Sequence, residues 1–583
     1  MMTLIPRAKQ QTYASVTVAL PNPLPVWCDG EVAERSLEVL QIFLDSSALT
    51  LLPVKTFEEA FLRLTVDESL GAIPEQYRLE IRDSGITLSF AEFAGGRNAA
   101  ASLYQLICRE GEIYVAEKCE ILDYPDSRWR GVLLDTSWYF IPTDKIMDML
   151  RQMALTKMNL LHFHLMDVRG YSLECEAYPE LNDPARGFYT KEEMRQIIAF
   201  AARLGIDCMP EIEFVTHSEY LRKALPWLTC DVEHEETSRH ALCIGKEETL
   251  YEFYRKVIAE VVEIFPFPIL HIGGDEIEMY DIGYWPNWYD CPHCHALANR
   301  VGIRLSTYEE VEARRENETF MELGIDGVRP LFLHGIRKIY DIVNAAGKRM
   351  MMWNDNIDIS KPTDLPRDIL IHFWRISAPY RGPSEGCSME KFLEAGFEVV
   401  NSTFEETYIE VSTYPKALPL NEWSPTVYPA SDPKYHAHIL GGEVCTWGGW
   451  HLPFTLPSYI GIYGDRFWNT TPTDTEDANF ARALSRVLLG IDVAEGMDVF
   501  SSIGSCVIPC GRRAEPREGE YYPYGYPERV DQTPEELEKV CRYLSKLAEK
   551  DTMHGRMAKT YETCVRWVLT QKQNPAPSIE WKY

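Results

Sequence analysis

The chain has 583 residues, 45% hydrophobic and 25% charged, which is room for two to four domains and too apolar for a disordered protein. A net charge of -30, spread along the sequence, argues against general affinity for nucleic acid or anionic membranes and favours a neutral partner. No run of about 18 uninterrupted apolar residues occurs, and "MMTLIPRAKQQTYASVTVALP" lacks a basic region followed by an apolar core, so a cytoplasmic protein is expected.

Residues 1–125 read as a small α+β domain. The alternation in "YRLEIRDSGITLSF" predicts strands, and "GRNAAASLYQLICRE" predicts a helix. The Pro-containing "LDYPDSRWRG" marks a boundary. From 126 to 500, short apolar runs alternate with stretches of helical period, the pattern of βα units around a parallel sheet. Eight such runs, "RGVLLDTS", "MNLLHFHLMD", "IDCMPEIEF", "ILHIGGDE", "KRMMMWNDN", "DILIHFW", "EVVNST" and "HILGGEVCTW", predict a (β/α)8 TIM barrel. Between the first two, "PTDKIMDMLRQMALTK" predicts a helix capped by Thr143, with Ile146, Met149, Leu150 and Met153 facing the core. An insert at roughly 291–329 separates strands four and five. Residues 501–583 read as a loop-rich and helical C-terminal extension containing the aromatic "EYYPYGYPERV" and the helical "TPEELEKVCRYLSKLAEKD" and "YETCVRWVLTQ". Nothing in the sequence sets an oligomeric state.

The fifteen cysteines are odd in number and mostly single, which suits reduced thiols. Only "CPHCH", Cys291 to His295, has Cys-x-x-Cys spacing. No second Cys or His pair follows it at a suitable distance, so a structural loop with free thiols is expected, with no metal and no cofactor.

Chemistry gathers at the C-terminal ends of the predicted strands, where a barrel keeps its active site: Asp135, Asp167, Glu213, Asp275, Glu276 and Asp355 all fall there. In "LHIGGDEIEMY" two carboxylates are adjacent, and both can face one cavity only where the strand ends and Gly273 and Gly274 let the backbone turn. A ring of carboxylates suits glycosidic bond cleavage, which needs one group to protonate the leaving oxygen and another to stabilise an oxocarbenium-like carbon. Trp353, Trp374 and Trp447, at the ends of strands five, six and eight, can wall a sugar. A metal-dependent hydrolase built on His162, His164, His217 and His271 is the competing chemistry, although His162 and His271 lie within apolar runs where buried, hydrogen-bonded histidine is expected. A carbohydrate-binding or sensor barrel without turnover is a third class.

The ordered blocks "RWRGVLLDTS", "NLLHFHLMDVRGYSLECEAYPEL", "MPEIEFVTHS", "HIGGDE" and "ILGGEVCTW" resemble the family 20 glycoside hydrolases, the β-N-acetylhexosaminidases, across nearly the whole barrel and the preceding domain. The resemblance implies a retaining, exo-acting enzyme in which the substrate's own 2-acetamido oxygen attacks the anomeric carbon and forms an oxazolinium intermediate. It implies Glu276 as general acid and then base, and Asp275 as the group that holds the acetamido N–H. It further implies Asp167 and His217 as support for the acid, Arg130 as a grip on sugar hydroxyls, Tyr408 as a donor to the acetamido oxygen, and Trp353, Trp374 and Trp447 as an enclosure for methyl and ring. A carboxyl beside another carboxylate should also hold its proton more tightly, as an acid at neutral pH requires.

The sequence departs from the family pattern at its rim. Gly449, in "TWGGW", stands where an acidic residue commonly meets the 4- and 6-hydroxyls; Ser137-Trp138-Tyr139 replaces a common Ser-Arg-His; Val168 replaces a second aspartate; Thr216 replaces glycine. The expectation is altered recognition of the 4- or 6-position, with room for a substituted sugar.

Overall fold

The computed structural model describes residues 4–45, 47–232, 241–277, 286–314, 327–359, 364–374, 388–409, 423–427, 429, 431–447, 452–471, 478–491 and 532–574. Tyr77–Arg82 alternates buried and more exposed side chains and pairs antiparallel with Gly85–Phe90, Arg82 opposite Gly85. They sit inside a mixed sheet ordered Gln10–Leu20, Ile113–Asp123, Tyr77–Arg82, Gly85–Phe90, Leu62–Val66, Leu24–Cys28 and Leu51–Pro53, with Ile107–Glu110 also paired to Ile113–Asp123. Helices Gly30–Leu44 and Phe93–Leu106 cover one face of this sheet. The second of them is buried almost all round, because it packs on the sheet and on helix Thr143–Leu155 of the next unit.

That next unit is a closed barrel of eight parallel strands: Trp129–Asp135, Leu160–His164, Asp207–Glu211, Ile269–His271, Arg349–Trp353, Leu370–Phe373, Val399–Asn401 and Ile439–Thr446. The last strand closes the ring by pairing with both the seventh and the first. Every one of the eight predicted runs is a barrel strand. The first barrel helix, Thr143–Leu155, buries Ile146, Met149, Leu150 and Met153 as its period requires, but Pro142 rather than Thr143 occupies the N-cap position.

Inward-pointing residues stack in layers along the barrel axis. The foot is an apolar plug that includes Trp129, Leu160, Met209, Met351, Leu370 and Leu440. Two residues further along the strands the layer turns polar. Glu211 accepts from His164 Nδ1 at 2.6 Å and Trp353 Nε1 at 3.0 Å and meets His271 Nδ1 at 2.9 Å, while Glu443 accepts from Trp129 Nε1 at 2.7 Å and meets His162 Nδ1 at 2.9 Å. His162 and His271 are thus buried, hydrogen-bonded core histidines, and of the four imidazoles considered as metal ligands only His164 and His217 reach the layer above.

The same alternation corrects the expectation for Arg130. Trp129 and Leu133 belong to interior clusters, so Arg130 points outward from the barrel foot, far down the strand from Asp135. Its guanidinium is fully buried against Glu75 of the preceding sheet domain, donating to both carboxylate oxygens at 2.6 and 3.0 Å, and to the carbonyls of Ser127 and Lys157. Arg130 therefore joins two units of the protein and grips no sugar. Lys157 does the same beside it, with Nζ 2.8 Å from Asp123 and 2.9 Å from the Tyr77 hydroxyl.

The final helices, Pro534–Ala548 with a Thr533/Glu536 capping box and Met553–Gln573, form a hairpin. The hairpin lies on helices Leu452–Trp468 and Ala478–Leu489, and Arg556 donates twice to Asp148 of the first barrel helix, both at 2.7 Å. The aromatic "EYYPYGYPERV" and Gly449 lie outside the described residues. Among the described residues no helix is long and apolar enough to cross a membrane.

The "CPHCH" loop also differs from expectation. Cys291 and Cys294 are buried with a second pair, Cys230 and Cys243, which precedes them in the chain instead of following. The four thiols form one cluster.

Candidate active site

At the C-terminal end of the barrel the backbone bends sharply after strands three and four. Gly273 and Gly274 take φ of +58° and +80°, and Gly273 needs its missing side chain as well, since a Cβ there would lie 1.9 Å from Glu213 Oε2. The turn carries Asp275 and Glu276 out of strand alternation to one side, as the paired carboxylates required. Glu276 itself adopts φ of +51°, and Val215 and His217 on the neighbouring loop adopt +61° and +47°. Non-glycine residues in this region store about 1–3 kcal/mol of strain each and persist where surroundings hold them.

What holds them is visible. The Glu276 amide donates to Asp355 Oδ2 at 2.8 Å, and Asp355 Oδ1 accepts from Trp374 Nε1 at 3.1 Å. Asn356 donates to the Gly274 carbonyl at 2.8 Å, and Gly274 donates to Glu213 Oε1 at 2.7 Å. Glu213 also accepts from Thr216 Oγ1, so the threonine in place of glycine has a partner. Burial, then the charge of Asp275, pushes the Glu213 carboxyl well above the ordinary carboxylate range.

His217 lies at the centre of the remaining carboxylates. Its Nδ1 is 3.3 Å from Asp167 Oδ1, and its Nε2 is 3.5 Å from Asp275 Oδ2 and 3.6 Å from Glu276 Oε2. Burial opposes a charge on this ring, but Asp275 and Asp167 outweigh it and hold its pKa well above the usual imidazole range. Asp167 shifts the other way: burial would raise it, but His217 and His164 hold it far below the usual carboxylate range. An imidazolium thus bridges Asp167 to the Asp275–Glu276 pair.

Beside this polar cluster is an aromatic wall. Trp353, Trp374, Tyr408, Leu133 and Cys445 form one buried cluster with Trp447 packed against it. Trp374 and Tyr408 stack at 5.8 Å and 15°, Tyr408 meets Trp447 at 5.8 Å, and Trp447 lies 6.3 Å from Trp353, which is pinned by its bond to Glu211. The structure therefore brings together Asp167, His217, Asp275, Glu276, Trp353, Trp374, Tyr408 and Trp447, and leaves Arg130 at the opposite end.

The sequence places Asp135 and Asp355 in the ring of strand-end carboxylates but assigns no individual role to them or to Trp138, and all three matter here. Asp355 seats both Glu276 and Trp374. Asp135 accepts from the Ser137 amide and hydroxyl and from the Trp138 amide, which shapes the first loop. Trp138 then donates Nε1 to Asp167 Oδ2 at 2.8 Å, and the Arg169 guanidinium lies 4.4 Å over its ring. The signal for Trp138 was its departure from Ser-Arg-His. Its place beside Asp167 needed three dimensions.

Residues 128–452 match the model "Glycosyl hydrolase family 20, catalytic domain", and residues 1–124 match "Glycosyl hydrolase family 20, domain 2". The Beta-hexosaminidase subunit alpha of Bos taurus is 27% identical over 428 residues, 71% of this chain and 74% of its own. The Beta-hexosaminidase of Vibrio furnissii is 27% identical over 376 residues, 60% of this chain and 55% of its own. In fold, the chain resembles the Flavobacterium johnsoniae chitobiase (TM-score 0.69, 19% identity, 99% of this chain and 94% of that one). It also resembles the Vibrio harveyi GH20 exo beta-N-acetylglucosaminidase (TM-score 0.69, 21% identity, 84% and 78%). With strand-end carboxylates gathered beside an indole-lined wall and a family match over most of its length, the chain belongs to glycosyl hydrolase family 20 and is a glycoside hydrolase, a β-N-acetylhexosaminidase.

Proposed function

We propose that this enzyme is a retaining exo-β-N-acetylhexosaminidase that cleaves terminal β-linked N-acetylglucosamine or N-acetylgalactosamine by substrate-assisted catalysis. The observation that carries the reading is the pair Asp275–Glu276, both within 3.6 Å of His217 and next to the Trp353, Trp374, Tyr408 and Trp447 wall. In this reading the wall encloses the acetamido methyl and Tyr408 donates to the acetamido oxygen. Asp275 accepts the acetamido N–H, which aims that oxygen at the anomeric carbon and stabilises the positive oxazolinium that forms. Glu276 gives its proton to the departing glycosidic oxygen and later takes one from the water that opens the ring. His217, fixed by Asp167, balances the charge of both carboxylates through the cycle.

In this reading Arg169, stacked over Trp138 beside Asp167, is the guanidinium that meets sugar hydroxyls in place of Arg130. A sensor barrel without turnover is disfavoured by the presence of Asp275, Glu276 and Tyr408 together.

Chromophore release from aryl N-acetyl-β-glucosaminide and N-acetyl-β-galactosaminide, with the plain aryl β-glucoside as control, tests the reading. Turnover of the acetamido sugars should exceed that of the glucoside by at least about 10³-fold, since the glucoside brings no internal nucleophile. Equal rates would contradict the mechanism, and tight binding of the acetamido sugars without release would favour the sensor.

A further inference from the structure

Outside the active site one cluster stands apart. Cys230, Cys243, Cys291 and Cys294 are all buried, and their sulfurs lie within 4.8 Å of one another. The separations are 3.6 Å for Cys243–Cys291, 3.8 Å for Cys243–Cys294 and 4.0 Å for Cys230–Cys294. None of these is a covalent bond. A tetrahedral metal with thiolates at ~2.3 Å sets its ligand sulfurs ~3.8 Å apart, the spacing seen here. A cluster of several irons would need its thiolates farther apart.

From this geometry we infer a structural zinc site with Cys230, Cys243, Cys291 and Cys294 as its four ligands. The donors are uniformly soft and no position is left open for water or substrate, the pattern of a metal that folds a loop and takes no part in chemistry. The surroundings suit thiolates. Cys291 is the N-cap of helix Pro292–Arg300, whose amides and dipole favour a negative sulfur. Lys246, three residues after Cys243, donates to the carbonyl of Thr229, the neighbour of Cys230, and to Asp231, both at 2.7 Å, and Asp231 also meets His293 Nε2 at 2.8 Å. The backbones are pressed together: a Cβ on Gly245 would fall 2.2 Å from the carbonyl carbon of His293.

The position explains why such a staple is useful. Cys230 and Cys243 follow His217 on the excursion after strand three, and Cys291 and Cys294 follow Asp275 and Glu276 on the excursion after strand four. A metal joining the two excursions fixes the two loops that carry the imidazolium and the carboxylate pair. The inference rests on the sulfur geometry and stands whether or not the catalytic proposal holds.

Elemental analysis of the natively purified, folded enzyme tests it. About one zinc per chain is expected, released to a chromogenic chelator only when a mercurial titrates the thiols. Cobalt exchange should give the intense absorption of a tetrahedral thiolate site. Cys243→Ala should lower bound zinc at least about tenfold and lower Tm, whereas Cys108→Ala, in the sheet domain, should leave zinc at about one per chain. Should Cys243→Ala fail to fold, the wild-type metal content and cobalt spectrum decide. Folded wild-type protein with less than about a tenth of an equivalent of zinc, or with iron in its place, would overturn the assignment, as would four thiols that titrate freely without metal release.

Discussion

Replacing Glu276 by glutamine is expected to lower kcat/KM for a phenyl N-acetyl-β-glucosaminide by about 10³-fold, within the range that general acid–base catalysis supplies. The substitution keeps the shape of the side chain and the hydrogen bond that the backbone N–H of residue 276 donates to Asp355, so the left-handed backbone at φ +51° and the seat of Trp374 are retained. What is lost is the proton. The deficit should therefore depend on the leaving group: large for phenol, much smaller for a dinitrophenolate that departs without protonation. With the dinitrophenyl glycoside, whose leaving group departs without the acid, azide, which needs no base to open the oxazolinium, should raise turnover and yield the β-glycosyl azide. A uniform loss across leaving groups, with no response to azide, would mean that Glu276 holds the site together and transfers no proton.

The second large effect is expected at His217. His217→Ala removes the cation that faces Asp167, Asp275 and Glu276, leaving carboxylates that repel one another. A loss of about 10²-fold in kcat/KM is expected from misplacement of the pair. The pH profile carries the more specific signature. In the wild type His217 holds the Asp167 carboxyl below its ordinary range, so without it Asp167 protonates more readily and the acidic limb of kcat/KM should move to higher pH. Stability should follow the linkage signs. The raised pKa of His217 gives stability that is full below its unfolded pKa and lost as pH rises through the folded one. The lowered pKa of Asp167 gives stability that is present above its unfolded value and lost as pH falls through the folded one. Both contributions overlap between about pH 4 and 6.5, where the Tm gap between wild type and His217→Ala should be widest, closing toward alkaline pH. An acidic limb that stays in place, with a gap independent of pH, would contradict the bridging role.

Much of this arrangement was legible in the sequence, and the failures have physical causes. The barrel could be read because each strand is a short apolar run ending in polar residues, and the turn at Gly273–Gly274 could be read because only such a turn brings adjacent carboxylates to one side. Arg130 was misplaced by motif resemblance, although strand parity carried the correction: it lies an odd number of residues before the inward-facing Asp135. Trp138 was noticed only as a departure, because its hydrogen bond to Asp167 joins two loops that the sequence keeps apart. The cysteine cluster was missed for the same reason. Its pairs come from different βα loops, and a search forward from Cys291 passes over Cys230 and Cys243.

The central claim, that the substrate supplies the nucleophile while Asp275 and Glu276 aim it and move the proton, is tested most directly by fluorinating the acetamido group. Each added fluorine weakens the carbonyl oxygen as a nucleophile while changing the sugar little. The account predicts that kcat/KM for a series of aryl glycosides falls stepwise from acetyl to trifluoroacetyl, by about 10²–10³-fold in all. A flat series would contradict it and place the nucleophile on the protein.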